Sequence, residues 1–462
     1  MSLVGRLSSE AQPAPRFEGA NPVTSAGGGS LHQGLTTHEH ETRHEATHGP
    51  GVWPGATLWF LSELYYPEET STGYFLTKMA EGLATSLNVG VLCAQPTYSQ
   101  RGIRAPWHEY RRGVKIWRCW GTALDKNILA LRLINTLSIS GGVLFSALRR
   151  VRRGDVVLAV TNPPTLPLLA ALVTRARHAK LVVLVHDVYP DVLVRLGALR
   201  DGSALERGLR SIIRRAYRGV AGVIVLGRDM EGFMARRFKI EPEKVTVIPN
   251  WADCDEIMPM DRAGNPLLLS LGISDKFVVQ WAGNMGRTHD LECLLGAAEV
   301  LREHPRIHFL FSGWGARRAS LEEAVTRQRL PNVSLVPNQP RDGLSTLLNA
   351  CDISAISFVP GMAGISVPSR MYNVLAAGKP IVASADETSE LSVVIREEGV
   401  GWVVTPGDAA AMARAILEAQ ADPERVTAMS KRARSVAETK YSFEWSRAKY
   451  NSLLAQLLAP QG

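Results

Sequence analysis

The sequence predicts an α/β chain of two doubly wound parallel sheets facing one another across a cleft. Short apolar, β-branched runs recur from residue 56 onward, and helix-length segments separate them, which is the alternation that parallel βαβ units require. The alternation halts across residues 251–270 and then restarts, so one sheet follows another. At 462 residues the chain also has the length of two domains, and its composition, 45% hydrophobic and 21% charged, suits two packed cores.

In chain order, residues 1–52 come first. They are rich in Gly, Ser, Thr and His, carry "SAGGGS" and "THEHETRHEATHGPG", and lack an apolar period, so they read as a disordered leader without the apolar core of a signal peptide. Their histidines (His38, His40, His44, His48) read either as a metal trap or as part of a polar tail. Residues 53–250 form the first Rossmann-like domain, with strands at "ATLWFLSEL", "VGVLCAQP", "VKIWRCWG", "DVVLAVTNPP", "KLVVLVHDVYP", "GVIVLG" and "VTVIPN". Residues 251–270 link it to the second Rossmann-like domain, 271–441, with strands at "FVVQWAGN", "IHFLFSGWG", "VSLVPNQP", "ISAISF", "PIVASA" and "GWVVTP". The closing stretch, about 442–460, reads as an amphipathic helix packed back on the first domain.

The charge is unevenly spread. Residues 53–250 hold 28 Lys+Arg against 15 Asp+Glu, whereas 251–462 hold 21 against 24. A basic first domain suits an anionic membrane surface or nucleic acid. With no zinc finger, RNP aromatic pattern or long basic helix, nucleic acid is set aside. No apolar run reaches the roughly 18 residues of a transmembrane span. The nearest segment, 127–153, is interrupted by Arg132 and Gly141-Gly142 and closed by Arg149, Arg150, Arg152 and Arg153; it reads either as a pair of core-facing helices or as an interfacial segment with a basic flank. Five cysteines at 93, 119, 254, 293 and 351, with no CxxC pair, point to a reducing cytosol rather than to disulfides or structural zinc.

In open α/β sheets ligands bind beyond the carboxyl ends of the strands, so candidate residues are those just after each run. Gly73 stands where a helix opens after the first strand, either a place for an anion or a plain helix-start glycine. His186 and Asp187 follow "VLV" and suit sugar hydroxyls, or form a buried pair. Gly283, Asn284 and Gly286 lead to Arg287 and His289, while "FSGWGARR" places Gly313 and Gly315 before Arg317; glycines admit a phosphate and cations hold it. "GMAGISVPSR", 361–370, offers Gly364, Ile365, Ser366, Ser369 and Arg370 but no acid. Asp253 and Asp255 match a D-x-D metal pattern and equally a turn. Neither G-x-G-x-x-G nor G-x-x-x-x-G-K-[ST] occurs at these strand ends, so the signals for NAD and ATP chemistry are missing.

Together "VIPNWAD", "WAGNMGRTHDLECLLGAAEVL", "FLFSGWGARRASLE", "LPNVSLVPNQPRDGL", "CDISAIS" and "GISVPSRMYNVLAAGKPIVA" resemble glycosyltransferase family 4, over about residues 56–460. The likeness is to the branch that builds exopolysaccharide, colanic-acid-type and O-antigen glycans on lipid carriers. It implies the GT-B fold, with the first domain for the acceptor and the second for the donor. It implies sugar transfer with retention from a nucleotide-diphosphate sugar to a lipid-linked or oligosaccharide acceptor, without metal or other cofactor. It places His186 near the donor sugar. The family's diphosphate-binding arginine and lysine fall at Asn284 and near His289, leaving Arg287 and Arg370 to supply that charge. The family's Glu-x7-Glu falls at Ile365 and Asn373, where Asn373 serves the ribose and Glu390 is the nearby carboxylate. Catalysis then rests on His186, Asp187, Arg287 and Arg370, with the leaving phosphate assisting acceptor deprotonation. The cysteine usage suits the cytoplasm, and the basic first domain with the 127–153 segment would bring such an enzyme to the inner face of the membrane. Two other readings stay open: a nucleotide-sugar epimerase of this fold, and a non-catalytic binding protein.

Overall fold

A computed structural model describes residues 55–97, 103–124 and 129–458. The leader and its histidines lie outside them.

The first sheet has eight strands: β1 Thr57–Leu61, β2 Asn88–Ala94, β3 His108–Arg111, β4 Val114–Cys119, β5 Val156–Val160, β6 Lys180–Val185, β7 Gly222–Val225 and β8 Val245–Val247. Their order is β3-β4-β2-β1-β5-β6-β7-β8, all parallel except β3, which pairs antiparallel with β4. β1 is the centre: Leu58 pairs with Val89 on one side and with Val156 on the other. The second sheet has β9 Phe277–Ala282, β10 Ile307–Ser312, β11 Val333–Val336, β12 Ile353–Ser357, β13 Ile381–Ser384 and β14 Gly401–Val404, in the order β11-β10-β9-β12-β13-β14. Counted from its own first strand, that is the 3-2-1-4-5-6 order of a doubly wound nucleotide-binding sheet. Buried strands such as β5, "VVLAV", are apolar throughout because helices cover both faces.

Two expectations are corrected. "HEYR" forms an extra edge strand, β3, whose charged residues hide it from a search for apolar runs. Residues 129–150 form one helix rather than two, running unbroken through Gly141-Gly142. A Cβ on Gly142 would lie 2.0 Å from the Trp120 carbonyl, so the glycine lets the helix press against the end of β4. Asn135, Ile139, Val143 and Ala147 bury the inner face of this helix, while Leu133, Leu137 and Phe145 are left exposed.

Residues 248–276 connect the sheets and include the short helix Pro266–Leu271. The helix Phe443–Leu458 packs on the first domain, where Tyr450 and Leu454 enter the core and Ser446 donates to the Pro249 carbonyl. No helix among the described residues is long and apolar enough to cross a membrane.

Candidate active site

The site is built where the second sheet's order reverses, between β9 and β12, with the carboxyl ends of both sheets contributing loops. The loops after β9 and β10 lock together: Gly283 donates to Ser312, Met285 to Trp314 and Arg317 to Met285. Gly313 and Gly315 both have φ of +140°, and a Cβ on Gly313 would lie 2.0 Å from the Gly283 carbonyl. These glycines therefore allow two backbones to approach. Gly286 is roomier, its nearest neighbour being the Asn284 amide at 3.4 Å.

Arg370 begins the helix Arg370–Ala376 and lies under the Gly283 turn, 3.5 Å from where a Cβ on Gly283 would stand. Its guanidinium rests on the Trp281 ring at 4.1 Å, and Nη2 donates to the Asn284 carbonyl at 2.9 Å and to His289 Nε2 at 3.0 Å. No carboxylate among the described residues pairs with it, and Nη1 is buried without a partner. Burial without a counter-ion pushes its pKa down to about 9, which leaves it a cation at neutral pH. A half-buried guanidinium without a counter-ion among the described residues, beside exposed Asn284, is chemically suited to an anion. Arg287 is exposed and pairs with no carboxylate among the described residues. Arg317 is spent structurally, donating to the His289 carbonyl and to Glu292 at 2.7 Å.

His289 is buried between Phe358, on which it stacks at 5.2 Å, and the edge of Trp281. Its Nδ1 faces the Ser357 carbonyl at 3.2 Å and so carries the proton, leaving Nε2 to accept from Arg370. Burial first, and the adjoining Arg370 second, hold its pKa well below the usual value.

From the first domain, His186 and Asp187 follow β6, with the Thr161 hydroxyl accepting from the His186 amide at 3.1 Å. His186 Nε2 is buried without a partner among the described residues, and burial takes the imidazole down to about 4. Burial raises Asp187, and the Ser366 hydroxyl partly offsets this. Ser71 Oγ and Ser369 Oγ meet at 2.9 Å across the cleft.

Several expected donor contacts are taken up by the protein itself. Gly73 is the third residue of the helix Ser71–Leu83; its amide donates to Thr70, and a Cβ would strike the Glu68 carbonyl at 2.6 Å. The amide of Gly364 donates to Asp229 at 2.9 Å, and those of Ile365 and Ser366 donate to Met362. The expectation that Gly364, Ile365 and Ser366 face the donor is thus corrected, because their amides are bonded within the protein. Ile365 lies in the apolar cluster of the first domain, which explains why no acid stands there. Asn373 is half-buried on the helix after Arg370. Glu390 is not an open carboxylate: it is buried and accepts from the Arg228 amide at 2.8 Å and from the Arg228 guanidinium at 3.1 Å. Asp229 returns the favour by accepting from the Glu390 amide at 3.0 Å, so a helix from each domain caps the other. Arg228 and Asp229 follow "GVIVLG" directly; the strand-end rule that singled out His186 points to them as well.

Asp253 accepts from Lys78 at 3.2 Å and from the Glu256 and Asp255 amides; burial opposes ionisation, but these bonds hold the carboxyl below its usual pKa. That is a charged turn. No group of three or more His, Cys, Asp or Glu among the described residues could hold a metal.

Known proteins match both halves. Residues 72–251 match the Glycosyl transferase 4-like domain and residues 270–436 match Glycosyl transferases group 1, and the chain belongs to glycosyltransferase family 4, transferases with the GT-B fold. Among its relatives is the probable glycosyltransferase WbjE of Pseudomonas aeruginosa, 34% identical over 67% of this chain and 76% of that one. The putative colanic acid biosynthesis glycosyl transferase WcaI of Escherichia coli K12 is 26% identical over 79% of this chain and 92% of its own length. Anabaena HepE, solved in complex with UDP-glucose, superposes with a TM-score of 0.66 at 17% identity, over 87% of this chain and 99% of that one.

Proposed function

We propose that the chain transfers a sugar, with retention, from a nucleotide-diphosphate donor to a lipid-linked saccharide in cell-surface polysaccharide synthesis. The observation that carries the donor side is Arg370, a half-buried cation with no carboxylate partner among the described residues, at the switch point of the second sheet. A leaving nucleotide diphosphate develops negative charge as the anomeric bond breaks, and a preformed cation with no carboxylate to quench it stabilises that charge. His186, with its unpartnered Nε2, and Asp187 stand across the cleft as partners for the sugar or the acceptor hydroxyl. The UDP-glucose bound by HepE and the colanic acid pathway named for WcaI support the donor and pathway classes. Asn284, Gly286, Arg287, Ser369 and Asn373 remain donor-side candidates, and no metal is invoked.

The acceptor side rests on the outer face of the helix Leu129–Arg150. Leu133, Leu137 and Phe145 are exposed at helical spacing, Arg149 stacks over Phe145 at 3.9 Å, and Arg152 and Arg153 follow, exposed. An apolar stripe ending in arginines suits a bilayer with anionic headgroups, where a lipid-linked acceptor resides. The protein would then act peripherally on the cytoplasmic face of the membrane.

The test is incubation of the purified chain with bacterial membrane lipid and UDP-, GDP- and dTDP-sugars, following nucleotide release and sugar incorporation. Label entering lipid with the anomeric configuration retained supports the reading. Inversion, or nucleotide binding without transfer to any acceptor, refutes it.

A further inference from the structure

Arg370 is held by three neighbours, and none of them neutralises it. Trp281 fixes its plane, the Asn284 carbonyl takes one Nη2 proton and His289 Nε2 takes the other. A histidine is an unusual choice for that last place, because carboxylates are the commoner partners of arginine. A carboxylate there would hold the guanidinium equally well but cancel its charge, and the site would lose its attraction for an anion. Imidazole is a strong neutral acceptor. Its remaining freedom is removed by the bond from Nδ1 to the Ser357 carbonyl, by stacking on Phe358 and by the edge of Trp281. The charged groups nearest the ring act in the same sense: Arg370 lies at its Nε2, and Arg317, which binds the His289 carbonyl, is the other cation beside it.

We propose that His289 is a positioning residue, a neutral acceptor that orients Arg370 without quenching it and so keeps the guanidinium charge available to the donor diphosphate. It was expected to touch the donor itself; its two ring nitrogens are instead both committed to protein partners. The inference rests on the reading that Arg370 receives the diphosphate.

The experiment uses the full chain and measures affinity for UDP, GDP, dTDP and inorganic pyrophosphate by calorimetry, with thermal unfolding recorded for every variant. His289→Gln keeps a neutral acceptor and stays within about 3-fold of the wild type; His289→Ala weakens binding about 10-fold, and His289→Glu, which pairs with Arg370, about 30-fold or more. In an Arg370→Ala background, His289→Ala costs less than about 2-fold, because its effect passes through the arginine. A folded His289→Glu protein that binds like the wild type overturns the proposal, as does a His289→Ala loss undiminished in the Arg370→Ala background. If the Glu variant does not fold, the Gln variant and the double variant decide. Wild-type affinity for none of the four probes, or Arg370→Ala affinity equal to wild type, instead defeats the donor-site reading on which the inference rests.

Discussion

Glu390 lies near the loop 361–370, and its structural surroundings make a sharp prediction about what it does. Its carboxylate, 6% exposed, accepts from the Arg228 amide and guanidinium, joining the start of one domain's helix to the start of the other's. Glu390→Ala removes two charge-assisted bonds, nominally about 1.5–3 kcal/mol each. The Arg228 side chain is 45% exposed and keeps Glu397 at 2.7 Å, so much of its guanidinium loss is recovered in water. The amide at the helix start is less easily re-solvated. The net expectation is about 2–4 kcal/mol of lost stability, which for a domain of this size lowers the melting temperature by roughly 5–15 °C. Calorimetric unfolding measures that, and a parallel titration with UDP measures the site. Stability should fall while nucleotide affinity, in the folded protein, changes less than about 3-fold. A variant that melts like the wild type but loses UDP would refute it and return Glu390 to the donor site.

Three further outcomes follow from other parts of the molecule. Arg370→Ala should weaken UDP binding by about 1.5–3 kcal/mol, roughly 10- to 150-fold, and unchanged affinity removes it from the site. His186 is held neutral by burial, with its pKa at about 4 against 6.5, so stability is full above pH 6.5. Below that the unfolded chain takes up a proton that the folded chain refuses, costing at most about 1.4 kcal/mol per pH unit down to about 4. Urea midpoints at pH 7 and 5 should therefore differ more for the wild type than for His186→Asn, and equal differences contradict the assignment. Leu137→Glu, on the exposed stripe, should abolish flotation with vesicles containing anionic lipid while leaving UDP affinity intact; undiminished flotation rules out this face.

The fold was legible because its buried strands are long enough and apolar enough to stand out, and their alternation with helices implies parallel sheets, although not the order of the strands within them. β3 escaped because an edge strand has one side in water and can be charged. Arg370 was legible as a cation at a strand-end loop, although its lack of a counter-ion among the described residues was not, since pairing is decided by residues far away in the chain. Glu390 misled for the same reason: a carboxylate near the site looks available until Arg228, 162 residues earlier, is placed against it. Gly313 was read as room for a phosphate, but its space is filled by the backbone of Gly283, and sequence spacing does not distinguish a ligand from another loop.

The loop between β12 and Arg370 buries Phe358, Met362, Ile365 and Val367 in the apolar cluster of the first domain, although its backbone belongs to the second. The helix Phe443–Leu458, at the far end of the chain, completes that same cluster. A fragment cut at the linker would therefore separate the first core from side chains that arrive more than a hundred residues later. Such a fragment would present an oily face to water and aggregate, and a chimera exchanging only residues 53–250 between relatives would mismatch along this seam. Swapping partners by recombination therefore requires the loop and the final helix to travel with the first sheet.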